Sequence, residues 1–226
     1  MLGTYILVLL GPASVIVVSL IPSLTSLESR ALIALAFSCI VACVIVLLGR
    51  FSGAHINPAI SLAFSIAGTF RRRLFLPYVA SQITGGLLAG LSLKIVFGSV
   101  ASSVDLGSTK LAAGVTPAEG IALEAVGTLV LSLTVLLVAH SVRSSIKQAT
   151  LVGATLFVLI LIFAPLTGAS FNPARSLGPS LFSGYFTNQI VYWVGPLSGA
   201  ACAGLIFRNL EKTRGRYERL GAVRVR

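Results

Sequence analysis

The chain has 226 residues, of which 56% are hydrophobic and 10% charged, with a mean hydropathy of +0.98. So few ionisable residues cannot furnish the charged surface that a soluble domain of this length needs, so the chain is read as an integral membrane protein. The net charge of +11 does not make it a nucleic-acid binder, because its Lys and Arg residues sit at the ends of apolar segments and in the C-terminal tail.

Crossing roughly 30 Å of hydrocarbon takes about 20 helical residues. Six apolar segments reach or approach that length, at 2–21, 31–48, 76–97, 117–141, 149–164 and 189–210. The first lacks the charged leader of a cleavable signal and predicts a membrane span. The second carries Cys39 and Cys43, four apart on one helix face. With Cys202 they have no His or acid beside them and read as small apolar packing residues.

After the second span the chain turns polar at Gly53-Ala54-His55-Ile56-Asn57-Pro58-Ala59-Ile60-Ser61. Asn57 is a good N-cap and Pro58 suits the first helical position, so a short helix is predicted over 58–68. The third span follows the basic run Arg71-Arg72-Arg73, and the fourth holds Glu124 within it and His140 at its end. After the fifth span the earlier pattern returns as Gly168-Ala169-Ser170-Phe171-Asn172-Pro173-Ala174-Arg175-Ser176, predicting a second short helix over 173–183. Arg175 lies in its first turn, where the helix dipole favours anions, so a cation there points to function. Helices of 11 residues reach about halfway across the bilayer, and interrupted backbone at that depth implies a protein-lined, water-filled cavity.

Aligned on Asn57 and Asn172, residues 50–62 match 165–177 at seven of thirteen positions: Gly53, Ala54, Asn57, Pro58, Ala59, Ser61 and Leu62. Gly3-Thr4 resembles Gly127-Thr128, and Tyr78, Gly85 and Gly90 recur as Tyr192, Gly199 and Gly204. These glycines read as helix-packing positions. Each half holds three spans, an odd number, so the halves insert in opposite orientations as an inverted repeat. The fold class is therefore an all-α membrane protein with six transmembrane helices plus two re-entrant half-helices. The first repeat is 1–110, the second 111–210, and 211–226 is a basic tail. Thirteen Lys and Arg residues fall on the side of Arg50, Arg71, Arg143 and the tail, against Arg30, Lys94 and Lys110 opposite. That bias predicts that both termini are cytoplasmic.

Two Asn-Pro-Ala boxes on inverted three-span halves resemble the major intrinsic proteins, the aquaporin and aquaglyceroporin family. The resemblance covers residues 2–210. Ser52–Ala59 and Thr167–Pro179 are most similar to the nodulin-like subfamily and its prokaryotic relatives. It implies a right-handed bundle around one pore per subunit, assembled as a homotetramer in the cell membrane. It also implies a pore motif formed by Asn57, Pro58, Ala59, Asn172, Pro173 and Ala174, with the two Asn side chains donating N–H groups into the pore. The selectivity filter then falls on Phe37, Ile160, Ala169 and Arg175. Water-selective members typically carry His where Ile160 stands, so this filter is expected to be wider and apolar on one wall. Against that, bacterial glycerol facilitators place Asp where Ser176 stands, and Tyr192-Trp193 resembles the water channels. Glu124 is implied as a structural acceptor for a re-entrant loop. Its repeat partner falls just before Met1, so an upstream extension carrying a Glu is expected, and without it His55 lacks its neighbour.

The implied function is a passive channel for water and small uncharged solutes, such as glycerol-like polyols, urea or neutral metalloid acids, that excludes ions and protons. The partners are those solutes and the lipid bilayer, with no nucleic acid. The alternatives are a strict water channel and a secondary transporter. A transporter needs an intramembrane carboxylate for coupling, and Glu124 alone is available. No catalytic, metal-binding or cofactor-binding set is identified: Asp105 lies in a loop and neither His is near a nucleophile.

Overall fold

The computed structural model describes the backbone over residues 1–223 and side chains as far as Thr213. Of the expected basic tail, 211–226, the part from Arg214 onward lies outside the described side chains.

Local capping sets where the helices begin. α1 runs Leu2–Ser19 and α2 runs Ser26–Ser52. α2 starts five residues before the expected span because Thr25 and Glu28 form a capping box. The Thr25 Oγ1 accepts from the Glu28 N–H at 3.3 Å, and the Glu28 carboxylate accepts from the Thr25 N–H at 2.8 Å. Thr116 and Glu119 repeat the device at the start of α5, Pro117–Ser141. α3 is the short helix Pro58–Ala67, and α4, Phe75–Phe97, follows a 3-10 turn at Arg72–Leu74. α6 is Ser145–Thr167, α7 the second short helix Pro173–Ser183, and α8 spans Val191–Val223. All regular elements among the described residues are helical. Between α4 and α5 a 3-10 stretch at Gly98–Gly107 breaks at Val104, Asp105 and Leu106.

Among the described residues, α1, α2, α5 and α6, with the stretch containing α4, are long and apolar enough to cross a membrane. The sixth expected span is the first part of α8, richer in Gly and Ala and continued by a basic segment. Leu35, Leu47, Leu76, Ile95 and Ile162 point outward, an arrangement that suits hydrocarbon and would be a large sticky patch in water. Cys39, Cys43 and Cys202 also face outward as free thiols.

The halves interlock. α2 packs on α6 and α5 on α8, while α7 lies against α4 and α3 against α8. Each short helix thus rests on a long helix of the other half. The α4–α7 crossing is a backbone contact: a Cβ at Gly86 would stand 2.5 Å from the Ala174 carbonyl, and one at Gly178 would overlap the Gly86 carbonyl. Only glycine fits both positions, and lipid tails give no hydrophobic drive to hold these helices, so close packing must do it.

Candidate functional site

The two short helices start as their sequences dictate. Asn57 Oδ1 accepts from the Ala59 N–H at 2.8 Å, and Asn172 Oδ1 accepts from the N–H groups of Ala174 and Arg175 at 3.0 and 3.3 Å. Pro58 and Pro173 occupy the first turns and need no donor there. Each Asn amide then reaches across. Asn57 Nδ2 donates to the Phe171 carbonyl at 2.7 Å, and Asn172 Nδ2 donates to the Ile56 carbonyl at 3.1 Å. One N–H of each amide is consumed by this exchange, so each Asn keeps one N–H for anything in the cavity that it lines, rather than two.

The loops that lead into the two helices share an unusual backbone. Ala54, Ile56, Ala169 and Phe171 have φ of 45°, 46°, 47° and 51°, after Gly53 and Gly168 at 77° and 78°. A left-handed residue with a side chain costs roughly 1–2 kcal/mol, and a β-branched one such as Ile56 is a true outlier. The surroundings must over-determine it. The crossed amide bonds do part of this, and Tyr78 and Tyr192 do more: their hydroxyls donate to the carbonyls of Ser52 and Thr167, at 2.8 and 2.9 Å.

Beneath the second loop, the fully buried carboxylate of Glu124 accepts from Thr167 Oγ1 at 2.7 Å, the Ser170 N–H at 3.0 Å and the Phe171 N–H at 2.7 Å. Hydrogen bonds to a charged acceptor stabilise by about 1.5–3 kcal/mol each, and together they offset the several kcal/mol of burying a carboxylate. Among the described residues no acid lies beneath the first loop. Ser61 is the centre there, meeting His55 Nδ1 at 3.2 Å, the Asn57 carbonyl at 3.2 Å and Gln82 Nε2 at 3.0 Å. His55 Nδ1 meets Ser61 Oγ, and its ring stacks on Phe64 with centroids 4.4 Å apart. Ser176 takes the matching place in the second half, sharing hydrogen bonds with Ser170 Oγ and Thr109 Oγ1 at 2.5 and 2.8 Å.

Arg175 is 5% exposed. Its Nη1 donates to the Gly107 carbonyl at 2.9 Å, and its guanidinium carbon lies 5.2 Å from the centroid of the Phe37 ring, within cation–π range. Phe37, Ile160, Ala169 and Arg175 all line one cavity, together with Asn57 and Asn172. The cavity continues past Leu131, Val135 and Val152 to His55 and Gln148 at the end nearer the basic face. Its volume of about 110 Å³ leaves room for a file of several waters, each needing roughly 10–15 Å³ of such space. Its walls are mostly apolar, with polar groups at the two Asn residues, Arg175, His55, Ser170 and Gln148.

Of the sequence-predicted residues, Phe37, Asn57, Ile160, Ala169, Asn172 and Arg175 line this cavity, while Pro58, Ala59, Pro173 and Ala174 form the first turns of α3 and α7. Glu124 sits behind the second loop and His55 within the first. Gly107 and Thr109 were not legible from the chain, because nothing in their loop marks which carbonyl turns inward. Ser61 and Ser176 were visible as matching positions, though not as hydrogen-bond centres.

A family model described as "Major intrinsic protein" matches residues 1–207. The chain is 34% identical over 231 residues to "Probable aquaporin AqpM" of Archaeoglobus fulgidus, covering 93% of this chain and 94% of that one. It is 34% identical over 219 residues to "Aquaporin NIP1-1" of Arabidopsis thaliana, covering 94% of this chain and 72% of that one. The X-ray structure of the aquaglyceroporin from Plasmodium falciparum superposes with a TM-score of 0.79 at 21% identity, over 92% of this chain and 90% of that one, which is a likeness of fold.

Proposed function

Because the chain belongs to the major intrinsic protein family, whose members are membrane channels and not enzymes, we propose that it passes water and small uncharged solutes, glycerol-like polyols among them, and excludes ions and protons. Urea and neutral metalloid acids belong to the same solute class. The observation that carries this reading is the wall opposite Arg175: Ile160 is apolar and Ala169 is small, and both line the cavity with Arg175 and Phe37. A polyol can lay its carbons along Ile160 while its hydroxyls meet the guanidinium. The word aquaporin in the relatives' names supports water as a permeant.

Passage is passive in this reading. A water or hydroxyl meets one N–H from Asn57 and one from Asn172, is held by weak neutral hydrogen bonds, and moves on. A cation would have to shed its water in a mostly apolar tube. It would also face the positive ends of two helix dipoles and the fixed charge of Arg175. Residues 1–110 and 111–210 act as the two repeats. The protein would work as a homotetramer in the cell membrane with both termini cytoplasmic, as its basic face suggests.

One observation favours the narrower alternative of a strict water channel: the Phe37 ring over Arg175 reduces the opening on that side. Stopped-flow light scattering on proteoliposomes separates the two. Measurable glycerol permeability supports the broader reading, and none at all sinks it. Ile160→His should lower the glycerol-to-water ratio about 10-fold or more, since a site built for hydrogen bonding discriminates more sharply than an apolar wall.

A further inference from the structure

The segment between α4 and α5 carries the carbonyl on which Arg175 hangs, and its shape is held from several sides. Asp105, Leu106 and Gly107 have φ of 44°, 56° and 70°, three left-handed residues in succession. Leu106 is 4% exposed and packs with Ile16, Leu93 and Ala101. Asp105 and Lys110 form an ion pair across the turn, and the Lys110 ammonium lies 4.9 Å from the Tyr185 ring centroid. The Ser108 hydroxyl shares a hydrogen bond of 3.3 Å with Ser183 at the end of α7. Closest to the cavity, Thr109 Oγ1 meets Ser176 Oγ at 2.8 Å, and Ser176 meets Ser170 Oγ at 2.5 Å. Ser176 adjoins Arg175 in the chain and Thr109 lies two residues from Gly107. The hydroxyl bridge therefore clamps the donor's helix to the acceptor's loop.

We propose that Thr109 and Ser176 are positioning residues for solute selection: their shared hydrogen bond fixes the Gly107 carbonyl relative to α7 and so sets where the Arg175 guanidinium stands in the cavity. The proposal rests on the reading of Arg175 as a wall of the filter. Thr109 and Ser176 are 1% and 0% exposed, and neither is among the residues lining the cavity, so they act on solutes through Arg175. With the bridge gone, the guanidinium keeps its charge and loses its fixed geometry. The opening and the barrier to ions then change together.

The test is a coupling cycle on the full chain in proteoliposomes, reading water permeability and proton leak. Thr109→Val and Ser176→Ala are made alone and on an Arg175→Ala background. Each single variant is expected to change the proton leak relative to water flux about threefold or more. On the Arg175→Ala background each should change it little, because residues acting through one group do not add. Thr109→Ser, which keeps the hydroxyl, should restore the wild-type ratio. Equal changes on both backgrounds, or no change on either, would overturn the proposal. Should Thr109→Val fail to reach the membrane, Ser176→Ala breaks the same contact from the other side. Because glycerol is not the readout, a protein impermeable to glycerol would defeat the polyol reading and leave this cycle intact.

Discussion

The two loops at the heart of the channel have nearly the same backbone and quite different foundations. Each passes through a left-handed glycine and two left-handed residues bearing side chains, is tied at its start by a tyrosine hydroxyl, and ends on an Asn cap. Under the second lies a buried carboxylate with three donors, and one turn on is a buried arginine. Among the described residues, the first rests on the network of Ser61, His55 and Gln82, and Ile60 holds the place matching Arg175. The second loop also leads directly to Arg175, the fixed cation of the proposed filter.

The difference can be broken most forcibly at its base. Glu124→Ala removes the acceptor from two loop N–H groups and leaves Arg175 without a nearby anion, and should cost about 3–5 kcal/mol. Gln82→Ala, the corresponding cut under the first loop, should cost about 1 kcal/mol. Thermal unfolding of the two purified variants in one detergent gives the comparison, and equal losses would show that the carboxylate is not the stronger foundation. Next in size, Arg175→Ala should keep water permeability and raise proton or cation leak, while Ile60→Ala should change neither selectivity. An Arg175→Ala protein that still excludes ions would mean that the two helix ends suffice. The smallest effects sharpen the likeness: Tyr192→Phe and Tyr78→Phe each delete one hydrogen bond to a loop carbonyl, worth about 1 kcal/mol. The Tyr192 change should be the larger, because Tyr192 is fully buried and Tyr78 is not.

Much of this was legible in the chain because its signals are local and repeated. Hydrophobic length gave the spans, and Asn-Pro fixed where both short helices start to the residue. Thr25 and Thr116 were equally available as capping boxes, with Glu three residues on, yet an apolar run draws the eye to its own limits and placed the start of α2 too late. What the sequence could not give are contacts set by tertiary closure. Ile56 is β-branched and argues against the left-handed conformation it adopts; the Asn172 amide, 116 positions away, helps to hold it there. The use of one N–H of each Asn in crossing to the other loop, and the choice of Gly107 among the carbonyls of a polar loop, depend on the assembled bundle.

The way each half-helix rests on the other half has a consequence for how the chain is made. α3 leaves the ribosome early and finds its main long-helix support in α8, whose first residue comes some 120 positions later. At roughly 5–20 residues per second, that is a wait of about 6–25 s. During it a short helix too brief to span the bilayer, with backbone groups in its leading loop still unpaired, must be sheltered. The first repeat is therefore poorly suited to fold alone, and the order of synthesis, not just the final contacts, is a burden that the insertion machinery has to carry.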